Sequence, residues 1–210
     1  MIDAERILCL APHPDDEVLG CGGTLALAAA RGASVHVLVV FDGALGDPDG
    51  RHAGRDLVAQ RRAEAERGGA WLGVERYHFW GLPEGHEPSP HDLREGVRRL
   101  AALVRELRPE VLLVPWEGDA HPDHRSVARL AAALLEGPGF AGEVWGFEVW
   151  APLEPEALVD VSGAWEAKLR ALAEHRTQLA YADLAARARE LATRFGGAPR
   201  EAFRRLRRCA

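Results

Sequence analysis

The sequence predicts an α/β fold, three layers deep (α/β/α), in which a mostly parallel sheet carries helices on both faces. Three observations predict it. Short apolar runs bounded by Pro and Gly, Ile7 to Ala11 and Val111 to Pro115, fit strands buried on both faces of a parallel sheet. Strand-like runs alternate with helical patterns, the signature of right-handed crossover units. Finally, 210 residues with 47% apolar content supply one substantial core, and no Pro/Ser-rich linker or charge block divides the chain, so one domain over 1–210 is expected.

After the first run, Glu17 to Arg31 reads as a helix with Gly32 just past its end, and Ser34 to Phe41 as the next strand, completing a βαβ unit. A polar, Gly-rich loop from Asp42 to Gly54 precedes a helix from Arg55 to Leu72. A short strand, Arg76 to Trp80, leads into a loop, Gly81 to Pro90, dense in Gly, Pro and Glu. A helix over His91 to Leu107, the strand Val111 to Pro115 and a helix over His124 to Glu136 follow. Val144 to Trp150 and Leu158 to Val161 read as further strands, and Ala164 to Phe195 as mostly helical. The Arg-rich end, Arg204, Arg205, Arg207 and Arg208, reads as a solvated helix face. The chain shows no internal repeat.

Composition narrows the function classes. A net charge of −6 argues against a nucleic-acid partner, which needs a basic stripe. The N-terminus lacks the basic start and long apolar run of a signal peptide, and no apolar run approaches the ~20 residues needed to span a bilayer, so a cytoplasmic protein with no membrane partner is expected. Cys9, Cys21 and Cys209 show no CxxC spacing and imply neither a disulfide framework nor a cysteine metal site. Gly20-Cys21-Gly22-Gly23 is not a dinucleotide fingerprint: its sixth position is Leu25, and its glycines lie a turn or more beyond the strand. Gly22 and Gly23 are expected to let a helix pack closely on the sheet. The absence of Asn and the single Lys fit a thermophile or a GC-rich genome equally.

The chemistry lies in two polar clusters, each just past an apolar run: His13-Pro14-Asp15-Asp16-Glu17 and His121-Pro122-Asp123-His124. Ligands of open α/β sheets bind beyond the carboxyl ends of the strands, so the clusters can converge although about a hundred residues separate them. Neutral imidazole and carboxylate together suit Zn²⁺, and three protein ligands with an open fourth position mark a catalytic site. Asp15 and Asp16, adjacent at a turn, can divide labour: one ligates the metal, the other faces its water. Their bland alternative is capping of the following helix. Pro122 favours a turn that brings His121 and His124 to one site, one as ligand and the other, charged or nearly so, toward a developing oxyanion. Asp123 is placed to orient an imidazole. The residues alone do not choose between Asp15 and Asp16, or between His121 and His124. His36, His52, His78, His86, His91 and His175 read as ordinary surface or core groups.

These clusters resemble those of the LmbE/PIG-L family of zinc-dependent N-acetyl-sugar deacetylases, here with Pro12 between Ala11 and His13. Arg61 resembles the family's active-site arginine, Gly81-Leu82-Pro83-Glu84-Gly85 its loop beside the substrate, and Lys168 to Gln178 its lysine-to-Ser-Gln helix, with Thr177 for Ser. The resemblance implies a Rossmann-like deacetylase in which His13, Asp16 and His124 bind Zn²⁺. Asp15 would then be general base and acid, and His121 would stabilise the oxyanion with Asp123 behind it. It also implies substrate contacts from Arg61 and Glu84, hydrolysis of an amino-sugar amide by metal-activated water, and a homo-oligomer. Arg61 has an alternative as a surface arginine paired with Glu64 or Glu66. The rival functions are a metal-dependent amidase or esterase for a non-sugar metabolite and a sugar-binding module without turnover. The aglycone is open: malate, inositol, a chitin-type sugar or an antibiotic.

Overall fold

The computed structural model describes residues 3–85, 87–137 and 140–206. Its strands are β1 (Arg6–Ala11), β2 (Ser34–Phe41), β3 (Arg76–Leu82), β4 (Val111–Pro115), β5 (Glu143–Phe147), β6 (Ala157–Asp160) and β7 (Arg200–Leu206). The helices are α1 (Asp16–Ala30), α2 (Leu57–Leu72), α3 (Pro90–Leu107), α4 (Pro122–Glu136), α5 (Trp165–Ala173), α6 (Arg176–Leu179) and α7 (Leu184–Thr193). They build one seven-stranded sheet in the order β3-β2-β1-β4-β5-β7-β6.

β1 to β5 run parallel, with β1 between β2 and β4. Alternation along each strand divides the core into two. Ile7, Cys9, Val35, Val37 and Leu113 face the α1, α2 and α5 side, whereas Leu8, Leu10, Leu38, Leu112 and Val114 face α3 and α4. Both faces are thus dry, which is why these strands read as unbroken apolar runs. The chain leaves β1 toward one edge and later returns to β4, so the β1–β4 junction is the topological switch point where a crevice opens.

The helix termini carry the expected chemistry. Asp56 accepts a hydrogen bond from the Ala59 backbone at the start of α2, and Gly73 ends that helix in the left-handed region. Ser89 and Asp92 form a reciprocal capping box ahead of Pro90 at the first position of α3. Pro122 plays that part in α4, so the helix begins two residues before the expected His124.

Three expectations need correction. Arg204 and Arg205 are not on a helix: they lie on β7, which inserts antiparallel between β5 and β6 and makes the sheet mixed. Arg207, Arg208, Cys209 and His86 lie outside the described residues. β5 stops at Phe147, three residues short of Trp150, whereas the run from Ala164 to Phe195 is mostly helical as expected, in the three helices α5, α6 and α7. Close packing of α1 depends on Gly20 and Gly23 more than on Gly22. A Cβ would fall 2.1 Å from the Phe147 ring at Gly20 and 2.6 Å from Val161 Cβ at Gly23, against 3.3 Å to the nearest atom at Gly22. Cys9 and Cys21 are free, buried and 3.6 Å apart at sulfur. No helix among the described residues is long and apolar enough to cross a membrane.

Candidate metal centre and active site

Both polar clusters leave the sheet at its switch point, one after β1 and the other after β4. Asp15 is the residue before α1, and its backbone carbonyl accepts from Val18 and Leu19 at 3.0 Å each. Its side chain caps nothing, however, and its φ of 134° is a conformation that favours glycine. Such strain persists only where surrounding contacts enforce it, and it concentrates at functional sites. Here the Asp15 N–H donates to Glu17 Oε2 at 3.2 Å, while Glu17 Oε1 accepts from the Tyr77 hydroxyl at 2.8 Å. Capping therefore does not account for the Asp15 side chain.

Asp16 turns the other way. Its Oδ2 accepts from the His13 backbone at 2.9 Å and lies 3.2 Å from His13 Nδ1 and 3.1 Å from His124 Nε2. One donor atom each from His13, Asp16 and His124 fall within 4.8 Å of one another, and all three residues are buried. A second group, His13, His121 and Asp123, meets the same criterion with His121 half-buried. The first fits a resident ion better. His124 is fully buried, yet neither ring nitrogen has an aligned hydrogen-bond partner, although Asp16 and Asp119 stand 3.1 and 3.2 Å away. An imidazole with a carboxylate behind its second nitrogen is the usual setting of a histidine ligand. The N/O donor set suits a borderline cation such as Zn²⁺.

Electrostatics follow this crowding. Burial opposes charge on His13, but Asp123, Asp16 and Glu84 outweigh it and hold the imidazole well above its usual range. His124 is likewise lifted, to about 9, because Asp16 and Asp119 overcome burial. Asp16 is held well below the carboxylate range: burial works against its charge, and His124 and His13 prevail. Asp15 moves oppositely, pushed by burial up to about 7 against the pull of Arg61. Neighbouring carboxylates with divergent affinities for a proton are an arrangement suited to acid–base work.

A cavity of about 270 Å³ opens over this cluster, lined by His13, Asp15, Asp16, Arg61, Glu84, His121 and Asp123 among others. Arg61 is no surface arginine. It is buried, donates to Gly43 O at 2.9 Å and Pro14 O at 3.2 Å, and lies 3.6 Å from Asp15. Its expected alternative partner Glu64 instead accepts from the backbone and hydroxyl of Thr177. Glu84 reaches His13 Nε2 at 3.1 Å and accepts from Leu45 N, clasping the two loops together.

Two roles meet a different geometry from the one expected. Asp123 points its carboxylate at His13 Nε2, 3.1 Å away, and at the Gly85 N–H, rather than standing behind His121, whose Nδ1 is 4.0 Å off. It is the Asp123 backbone N–H that fixes His121, by donating to its Nδ1 at 3.2 Å. That bond leaves the His121 proton on Nε2, so the ring can donate while neutral. Burial, with His13 and His124 nearby, indeed holds His121 below the usual imidazole range, against the expected charged form. Sequence reasoning also missed Asp119, which stands behind His124, accepts from the His121 backbone at 2.9 Å and accepts from Trp150 N at 3.0 Å. Its one signal was a carboxylate two residues before the His121 cluster.

Fold and site together define a class: doubly wound α/β proteins that gather His and Asp side chains at the switch point of a mostly parallel sheet. The chain belongs to the PIG-L family, whose model, described as GlcNAc-PI de-N-acetylase, matches residues 8–135. It is 30% identical over 197 residues to a diacetylchitobiose deacetylase of Thermococcus kodakarensis, covering 84% of this chain and 71% of the relative. It is 31% identical over 233 residues to a 1D-myo-inositol 2-acetamido-2-deoxy-alpha-D-glucopyranoside deacetylase of a Mycobacterium species, covering 84% and 75%. Among solved structures, the N,N'-diacetylchitobiose deacetylase of Pyrococcus horikoshii superposes with a TM-score of 0.82 at 28% identity, over 97% of this chain and 84% of that one.

Proposed function

We propose that this chain is a zinc-dependent hydrolase that removes the N-acetyl group from an N-acetylglucosamine-type sugar or its glycoside. The observation that carries the reading is the convergence of the two strand-end clusters on one cavity, in a chain whose relatives are named as sugar deacetylases. His13, Asp16 and His124 would hold the ion, which when bound supplies a Lewis acid that polarises the amide carbonyl and acidifies a water. Asp15 takes the proton from the attacking water as the new C–O bond forms. It returns that proton to the nitrogen as the C–N bond breaks, releasing acetate and the free amine. His121 Nε2–H donates to the carbonyl oxygen as negative charge gathers there. Asp119 orients His124, Asp123 and Glu84 hold His13, and Arg61 aims the Asp15 carboxylate.

A binding module would not need Asp15 held in a strained backbone beside Arg61 at the cavity wall, outside the group of donor atoms that could hold the cation. The cytoplasm as its location, assembly as a homo-oligomer and a single catalytic domain over 1–210 belong to the same proposal; the free, buried Cys9 and Cys21 fit a reducing compartment. The reaction is tested by acetate release from N-acetylglucosamine and diacetylchitobiose, before and after chelation and after zinc is restored. Release that chelator abolishes and zinc restores is expected; zinc-loaded protein that releases acetate from no N-acetyl sugar contradicts the reading.

A further inference from the structure

Two helices of this molecule begin in contrasting ways. At α3 the residue before the helix, Ser89, uses its own side chain: its Oγ accepts from the Asp92 backbone, and Asp92 accepts from the Ser89 N–H at 2.9 Å. At α1 only half of that reciprocal arrangement exists. Glu17, the second residue of the helix, accepts from the Asp15 N–H at 3.2 Å, while the Asp15 side chain caps nothing. The Asp15 carboxylate is thereby left over for the cavity that it lines.

Its aim then depends on the backbone that carries it. Arg61 Nη2 attracts Asp15 from 3.6 Å, beyond hydrogen-bond reach. A φ of 134° is a conformation that a residue with a side chain abandons unless contacts enforce it. The enforcing contacts run inward. Glu17 is fully buried, and its other oxygen, Oε1, accepts from the Tyr77 hydroxyl at 2.8 Å. Tyr77 stands on β3, so Asp15 N–H, Glu17 and Tyr77 tie the turn after β1 to a strand two places away in the sheet. Gly69 of α2 leaves room for this tie, since a Cβ there would fall 2.7 Å from the Tyr77 hydroxyl oxygen. Asp16 has a separate anchor, accepting from the His13 backbone at 2.9 Å, so the two adjacent carboxylates are held by different partners. Neither Glu17 nor Tyr77 lines the cavity.

On these grounds, and resting on the deacetylase reading, we propose that Glu17 and Tyr77 are positioning residues. Their hydrogen-bond chain holds the Asp15 backbone in its strained conformation and so aims the carboxylate at the attacking water, without supporting the cation ligands.

The test pairs turnover with a readout that needs none. In zinc-loaded protein acting on diacetylchitobiose, Glu17→Leu should lower kcat by roughly tenfold or more, as a displaced catalytic group does, with KM changed less than about twofold and zinc content unchanged. Glu17→Gln, whose amide can accept from the Asp15 N–H and donate to the Tyr77 oxygen, should keep most of the rate. Placed beside Asp15→Asn, Glu17→Leu should cost less than about twofold, because the group it positions is already gone. Tyr77→Phe should lower kcat in the same way by a smaller factor, and it decides on the same readouts if Glu17→Leu does not fold. Exchange of the Asp15 amide hydrogen, followed by NMR, should be slow in the wild type and in Glu17→Gln and fast in Glu17→Leu. Undiminished kcat in Glu17→Leu, a loss in Glu17→Gln as large as in Glu17→Leu, an equal loss in the Asp15→Asn background, or loss of zinc overturns the proposal. Failure of the deacetylase reading appears separately, as no acetate release by the zinc-loaded wild type, and amide exchange then decides whether Glu17 holds the Asp15 backbone.

Discussion

Among the described residues, two buried clusters of charge are finished differently. At the β7 side of α1, Lys168 donates to Glu201 at 2.6 Å and to Leu19 O at 2.8 Å. Glu201 in turn accepts from the backbones of Gly23 at 2.8 Å and Thr24 at 2.7 Å. Leu19 O and Gly23 N lie about one turn apart on α1, so the ion pair grips a carbonyl and an amide of the same helix. Around His13, Asp16 and His124 the carboxylates crowd imidazoles instead, and His124 is left without an aligned bond. Burial alone does not distinguish structure from function here. Completion of the hydrogen bonds separates these two clusters: the satisfied one pins β7 to α1, and in the unsatisfied one carboxylates face the open imidazole nitrogens of His124, a donor set that could hold a cation.

The largest effect is expected where that contrast is sharpest. His124→Ala should lose zinc on elemental analysis and bring deacetylation to background, because one of three ligands is gone, while the fold persists by circular dichroism. Zinc retained in full would break the assignment. Lys168→Ala should do the reverse. It strands Glu201 in the interior, which costs about 3–5 kcal/mol, and at ~2–4 °C per kcal/mol for a chain of this size Tm should fall by roughly 6–20 °C. Its zinc content should match wild type; a shared loss of metal would merge the two clusters into one unit.

His175 sharpens the comparison by a smaller amount. Like His124 it is fully buried with both ring nitrogens unpartnered, but burial, reinforced by Arg61, depresses its pKa to about 3, where His124 is lifted by carboxylates. The folded pKa lies below the ordinary value near 6.5, so between about pH 6.5 and 3 the unfolded chain takes up a proton that the folded chain refuses. This contribution to stability is whole above that window and declines as pH falls through it, by about 2 kcal/mol at pH 5. In denaturant titrations His175→Gln should flatten the acid slope by up to one proton. An unchanged slope would mean that His175 is protonated in the folded state.

Much of this was legible in the sequence because the physics was local. β1, β2 and β4 are buried on both faces, so their apolar runs announced them, and the two motifs supplied the pool of site residues. What escaped notice depends on distant partners. β7 carries three Arg and one Glu among its seven residues, and its buried Glu201 is made tolerable by Lys168, 33 positions away, and by the Gly23 and Thr24 backbones of α1. Asp119 looked like one more polar residue in a Gly-containing turn until His124 folded against it. Trp150 merely prolonged the apolar run of β5, whereas the chain has already left the sheet at Phe147 and carries the indole to the rim of the cavity.

The central claim is that Asp15 and Asp16, adjacent in sequence, face different targets: Asp16 the cation, Asp15 the reacting water. Zinc stoichiometry measured beside kcat in the two single variants tests it most directly. Asp15→Asn should keep about one zinc per chain while kcat falls by on the order of 10²–10⁴, the range for a positioned acid–base group; Asp16→Ala should lose both. Full activity with normal zinc in Asp15→Asn, or undiminished zinc in Asp16→Ala, would contradict the account.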